Sequence, residues 1–126
     1  MNKHISYKLD QLFVEDVAVS EIASNLRTPF YVYSRTSIKD NFDRFTRSLK
    51  GLDSIICYSV KANSNLSVLE TIAKLRGGAD VVSLGEYHRA LKAGIDQKRI
   101  VFSGVGKQDF AVSYTHLRAH ETERNR

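Results

Sequence analysis

The chain has 126 residues, which fits one ordinary domain or a piece of a larger one. Hydrophobic residues make up 42% and charged residues 26%, a globular composition that argues against disorder as the default. The net charge of +5 is scattered, with no run of five Lys or Arg, so no nucleic-acid-binding face is expected.

The first ten residues, MNKHISYKLD, lack the apolar core of a signal peptide. No apolar run approaches the ~18 residues that a membrane helix needs. Cys57 is the single cysteine, so an internal disulfide is excluded and a reducing compartment is expected. These points together place the protein in the cytoplasm, away from membranes. Because Cys57 lies in an apolar run, it reads as a packed thiol and not as a nucleophile.

Along the chain, Ser20 is a candidate cap for a short helix containing Ile22, Ala23 and Leu26. Pro29 stops helix there and biases Thr28 toward extended backbone. The aromatic and β-branched stretch PFYVYS (29–34) then reads as a strand. A helix follows, capped by Ser34 or Thr36, with Ile38, Phe42, Phe45 and Leu49 on one face. Gly51 is its expected stop.

Residues 54–61 form the next expected strand, SIICYSVK. After it, Asn65 caps a helix whose apolar stripe is Leu66, Leu69, Ile72 and Leu75 or Ala73, and Gly77-Gly78 ends it. A strand over 79–83 leads to Ser83 and Glu86, which stand in capping-box spacing. Leu84, Tyr87 and Leu91 share the face of the helix that follows, Gly94 closes it, and 99–104 is a last strand. His88 on that helix reads as a surface histidine. Strand, helix, strand, helix, strand with short links implies an α/β fold with a parallel sheet. Both a barrel and an open doubly wound sheet have this rhythm.

Lys61 stands at the end of the strand 54–61, where parallel α/β folds place their sites. Partial desolvation of an amine favours its neutral form, which is the form that condenses with a carbonyl. A snorkelling surface lysine is the plainer alternative.

Four segments in order, TPFYVYS, YSVKANSN, GADVVSLGE and RIVFSGVGK, resemble the amino-terminal part of the diaminopimelate decarboxylases. These are fold-type III pyridoxal-phosphate enzymes, related to the alanine racemases. The resemblance covers roughly residues 10–110. It implies a partial (β/α)8 TIM barrel of the alanine racemase-like type, truncated after about three strand–helix units. Residues 1–34 would be the segment that joins a β domain in the family, and 35–111 the first part of the barrel. Lys61 would be the catalytic residue that binds pyridoxal 5'-phosphate covalently, and Asp80 an acid close to that lysine and the cofactor. Glu86 matches a second family acid, although its capping-box role suffices to explain it.

The implied activity is decarboxylation of meso-diaminopimelate to L-lysine by a homodimer. Ornithine or arginine decarboxylases and a non-catalytic pyridoxal-phosphate-binding protein are the alternatives. The family's glycine-rich phosphate loop, its acid on the pyridine nitrogen and its substrate-binding arginine all come later than residue 110, so the chain alone is expected to be inactive.

Residues 112–122, VSYTHLRAHET, break the pattern and resemble a translated sequencing adapter. Residues 112–126 are therefore expected to be a non-native tail. His116 and His120 at i, i+4 lack a third ligand, and no metal site is expected.

Overall fold

A computed structural model describes residues 3–104. Its contacts divide the chain into two units, one ending at Ser48 and the other beginning at Leu49. The tail from residue 112, with its two histidines, lies outside the described residues.

The first unit opens with three antiparallel strands, β1 (Ile5–Lys8), β2 (Gln11–Val14) and β3 (Val17–Ala18), paired in that order. Lys8 pairs with Gln11, so the link between β1 and β2 is the two residues Leu9 and Asp10. Both have positive φ, 48° and 59°, as the tightest hairpin turns require. Helix α1 (Val19–Asn25) follows directly. Ser20 lies inside it, and its first position is flanked by Ala18 with no side-chain cap, so the expected Ser20 cap is not formed.

PFYVYS forms no strand. Residues 29–34 are not paired with any described strand, and Tyr31 and Tyr33 are exposed. The correction has a simple cause: β propensity describes side chains that suit a pleated, half-covered surface, whereas a strand exists only where a partner supplies the ladder.

Helix α2 (Arg35–Ser48) begins where Ser34 was expected to cap it. The buried Ser34 hydroxyl accepts from the Ser37 N–H at 2.9 Å and donates to Glu15 Oε1 at 2.6 Å. Glu15 also accepts the Thr36 N–H at 2.8 Å. One carboxylate thus ties the β2–β3 turn to the start of α2 and takes up one of the unpaired N–H groups there. The apolar stripe of α2 is only partly covered, and Phe45 is exposed.

The second unit is the expected alternation of strand and helix. It runs β4 (Cys57–Ser59), a 3-10 turn (Val60–Ala62), α3 (Leu66–Lys74), β5 (Gly78–Val81), α4 (Leu84–Lys92) and β6 (Ile100–Phe102). The strands are parallel in the order β4-β5-β6. Each is shorter than its apolar run, and Lys61 falls in the turn after β4, not on the strand itself.

Asn65 caps α3 by accepting from the Ser67 N–H. The helix ends by a different residue from the one expected. Arg76, not a glycine, takes the left-handed position (φ 59°), while the Gly77 N–H bonds Ile72 O at 3.0 Å and the Arg76 N–H bonds Ala73 O at 2.9 Å. Gly78 is needed for space instead: a Cβ there would lie 2.3 Å from Arg99 O and 2.8 Å from Cys57 Sγ. In α4 the stop is the expected one, with Gly94 left-handed (φ 87°).

The register sorts the sheet into two faces. Tyr58, Ala79 and Ile100 are aligned, as are Val81 and Phe102. Ala79, Val81 and Ile100 are fully buried, together with Leu69 of α3 and Ala90 of α4. Ile72, Tyr87, Ile95 and Phe102 complete this apolar layer. Side chains alternate across a strand, so the other face carries Cys57, Ser59, Gly78, Asp80 and Val101.

Candidate functional site

The polar face is the place to look for chemistry, because nothing on it serves the apolar layer. Asp80 lies at its centre, directly between Ser59 on β4 and Val101 on β6. Its two oxygens are held separately. Ser59 Oγ donates to Oδ2 at 3.3 Å, and the hydroxyl of Ser103, just past β6, donates to Oδ1. Satisfaction by local backbone would have made Asp80 a structural residue of its own strand. The hydroxyls come instead from the two flanking chain segments, so the carboxylate is oriented across all three strands.

Cys57 sits one residue pair away from Ser59 and Asp80, facing Gly78. Burial pushes its thiol up from its ordinary value, and the Asp80 charge adds to the shift. A thiol in that state is a poor nucleophile, in keeping with its reading as a packed residue.

Lys61 follows Ser59 by two residues, in the 3-10 turn that leaves β4. It is exposed, and it makes no hydrogen bond or ion pair with a described residue. The expected partial desolvation is not seen among the described residues, where the side chain as a whole is exposed. Val60, its neighbour, is fully buried and anchors the turn. A reachable amine on a fixed turn at the carboxyl end of a parallel strand fits covalent attachment of pyridoxal phosphate. The structure places Lys61 and Asp80 at the same end of adjacent strands.

Ser83 and Glu86 form the expected capping pair with one change. The Glu86 N–H donates to Ser83 Oγ at 3.2 Å, while Glu86 Oε2 accepts from the Val82 N–H at 2.8 Å, one residue before the cap. Both Glu86 interactions hold the start of α4, which accounts for the residue without a role in the site.

Sequence reasoning missed Ser59 and Ser103. A signal existed, since each is a small polar residue at the end of a short β-branched run. Only the register shows that both belong with Asp80.

A concavity of about 670 Å3 lies in the first unit and is lined by that unit's residues alone, among them Lys3, His4, Asp40, Arg44 and Arg47. It carries both signs of charge and includes none of the residues just described. Among the described residues no group of three or more metal-ligating side chains is found, and no helix is long and apolar enough to cross a membrane.

Comparisons with known proteins show the family. The sequence signature described as "Pyridoxal-dependent decarboxylase, pyridoxal binding domain" matches residues 35–120. The diaminopimelate decarboxylase of Pseudomonas aeruginosa is 49% identical over 102 residues, covering 81% of this chain and 25% of that protein. Among solved structures, the diaminopimelate decarboxylase from Helicobacter pylori complexed with L-lysine is 50% identical, with a TM-score of 0.71 over 76% of this chain and 25% of that one. The M. jannaschii enzyme in co-complex with L-lysine is 33% identical, with a TM-score of 0.79 over 90% of this chain and 28% of that one. The chain therefore spans about a quarter of the length of the relatives it matches. On the signature match, with a parallel α/β sheet like that of these relatives, the chain belongs to the pyridoxal-dependent decarboxylases and carries part of their pyridoxal binding domain.

Proposed function

We propose that this chain is the amino-terminal part of an enzyme that decarboxylates meso-diaminopimelate to L-lysine. The observation that carries the reading is the identity of about half to relatives named for that activity, across the segment holding Lys61 and Asp80. In this reading residues 1–34 join a second, β domain, and 35–111 begin a barrel completed by later residues. The whole protein is a homodimer in the cytoplasm, and residues 112–126 are foreign to it.

Pyridoxal phosphate, when bound, supplies the electron sink that lets a carboxylate leave an amino acid as carbon dioxide. The chain's own part is attachment and orientation. Lys61 is an exposed lysine on a turn anchored by the buried Val60, and it would hold the coenzyme's carbonyl end at the carboxyl end of β4. Asp80 supplies a carboxylate held from both sides on the adjacent strand. The closed barrel keeps water from the reacting atoms, a task for residues beyond those described.

The test is to reclone the gene from source DNA past residue 111, express it, and treat it with pyridoxal phosphate and borohydride. Attachment mapped to Lys61, with carbon dioxide released from diaminopimelate, is the expected result. Attachment without turnover would make the protein a coenzyme binder and not a decarboxylase. Release from ornithine or arginine in preference to diaminopimelate would overturn the substrate. Recovery of the VSYTHLRAHET tail in frame would show that it is native.

A further inference from the structure

We propose that Ser59 and Ser103 are positioning residues that fix the Asp80 carboxylate in one setting on the strand next to the Lys61 turn, so that its charge governs the proton balance of the lysine–coenzyme link. The inference rests on the reading of Lys61 as the coenzyme-binding residue.

Three observations support it. The two serines approach from opposite sides, one on β4 and one after β6, and each takes a different oxygen of Asp80. Two hydroxyl donors on two oxygens leave the carboxylate no free rotation about its last bond, and both bonds are of the kind an ionised carboxylate accepts. Ser59 is also two residues before Lys61, so the clamp and the amine share one short piece of chain. The other charged groups nearby are otherwise engaged. The Arg99 guanidinium donates to the Arg76 carbonyl, that of Arg89, on the helix packed against the Lys61 turn, donates to the Ser64 carbonyl, and Glu86 accepts from the Val82 N–H. Cys57, the remaining titratable group on this face, has its thiol pushed up by burial. Asp80 is thus, among the described residues, the one carboxylate carried on the polar face of the three strands.

A purely structural clamp would tie three strands together and do no more. Removing it would then lower stability and leave the coenzyme's spectrum alone. The experiment uses the full-length protein loaded with pyridoxal phosphate. It follows the pH midpoint of the coenzyme's visible absorbance, with borohydride-trapped mass on Lys61 as a second readout. Asp80→Asn is expected to lower the midpoint by about one unit, the size of effect lost with a nearby opposite charge. The double variant Ser59→Ala/Ser103→Ala should move it in the same direction by about half as much, since the charge remains but is no longer aimed. Ser59→Thr/Ser103→Thr keeps both hydroxyls and should restore the parent value. Should the double alanine variant fail to fold, Ser59→Ala alone is expected to give a smaller shift of the same sign.

An alanine variant with the parent's midpoint, or a threonine variant no better than alanine, would overturn the proposal. So would an unchanged midpoint in Asp80→Asn while Lys61 of the parent still traps the coenzyme. A parent protein that traps nothing on Lys61 would instead remove the functional reading itself, and this inference with it.

Discussion

The two units of the described chain are held together by different forces. In the first, the buried residues are Val14 and Ser34, and the long helix α2 buries none of its own. Its cohesion is largely polar. Asp40 on α2 pairs with Lys3 at 2.6 Å and His4 at 2.9 Å, and Glu15 holds Ser34 and Thr36. In the second unit, an apolar layer between the sheet and helices α3 and α4 contains Leu69, Val81, Ala90 and Ile100 with no measurable exposure. Apolar burial is insensitive to pH, whereas carboxylate pairs are lost when the carboxylates are protonated. The units should therefore fail under different conditions.

The sharpest way to test that contrast is to open the apolar layer. Leu69→Ala removes a fully buried side chain and should cost about 3 kcal/mol. Urea unfolding would give the value, and hydrogen exchange should show lost protection in α3 and β5 with the first unit unaffected. Next in size is Gly78→Ala, whose new methyl would press on the Arg99 carbonyl and Cys57. Strands β5 and β6 must part to admit it, at about 1–3 kcal/mol by the same assay.

In the first unit the corresponding change is Ser34→Ala, which removes the cap of α2 and the hydroxyl that Glu15 accepts. A loss of about 1 kcal/mol is expected, confined to protection in the β2–β3 turn and α2. Acid should then separate the units without any mutation. The Lys3 and His4 partners of Asp40 hold its carboxyl down from 3.8 to about 2, and Glu15 is lowered by Ser34 and Thr36. A depressed carboxyl contributes stability that is fully present above its ordinary value and is lost as pH falls through the lowered one. Between pH 3.8 and about 2, amide protection factors, corrected for the intrinsic exchange rate, should fall in the first unit before the second, and Asp40→Asn should remove its share of that dependence. The smallest effect belongs to the exposed Lys39–Asp43 pair on α2, where Lys39→Ala should leave the unfolding midpoint unchanged within error.

The helices were the most legible part of the molecule. Asn65, Ser83 and Ser34 cap where their side chains and spacing indicate, Gly94 stops α4, and the stripes of α3 and α4 supply the core. The hairpin of β1 and β2 was not legible. Its two turn residues are Leu9 and Asp10, and nothing in that pair announces two positive φ values in succession. Arg76 was equally silent as the left-handed residue ending α3, because the glycines beside it offered a more ordinary stop. PFYVYS carried a strand signal that no partner strand answers among the described residues.

The candidate site divides in the same way. Lys61 could be singled out from its own segment, since an amine closing an apolar run is a local anomaly. Its exposure, and its seat on a turn and not on a strand, could not. Asp80 was visible as a residue, but its two serine partners stand 21 and 23 positions away along the chain.

The sequence by itself indicated the alternation of strands and helices from residue 54 onward and the caps of α2, α3 and α4, and it singled out Lys61. Helices satisfy their own backbone hydrogen bonds with groups four residues off, so short-range information suffices for them. Only the tertiary structure decided which apolar runs become paired strands, why Gly78 can bear no side chain, and what orients Asp80. Each of those depends on atoms from distant parts of the chain meeting at one register, and a sheet has no register until its strands have come together.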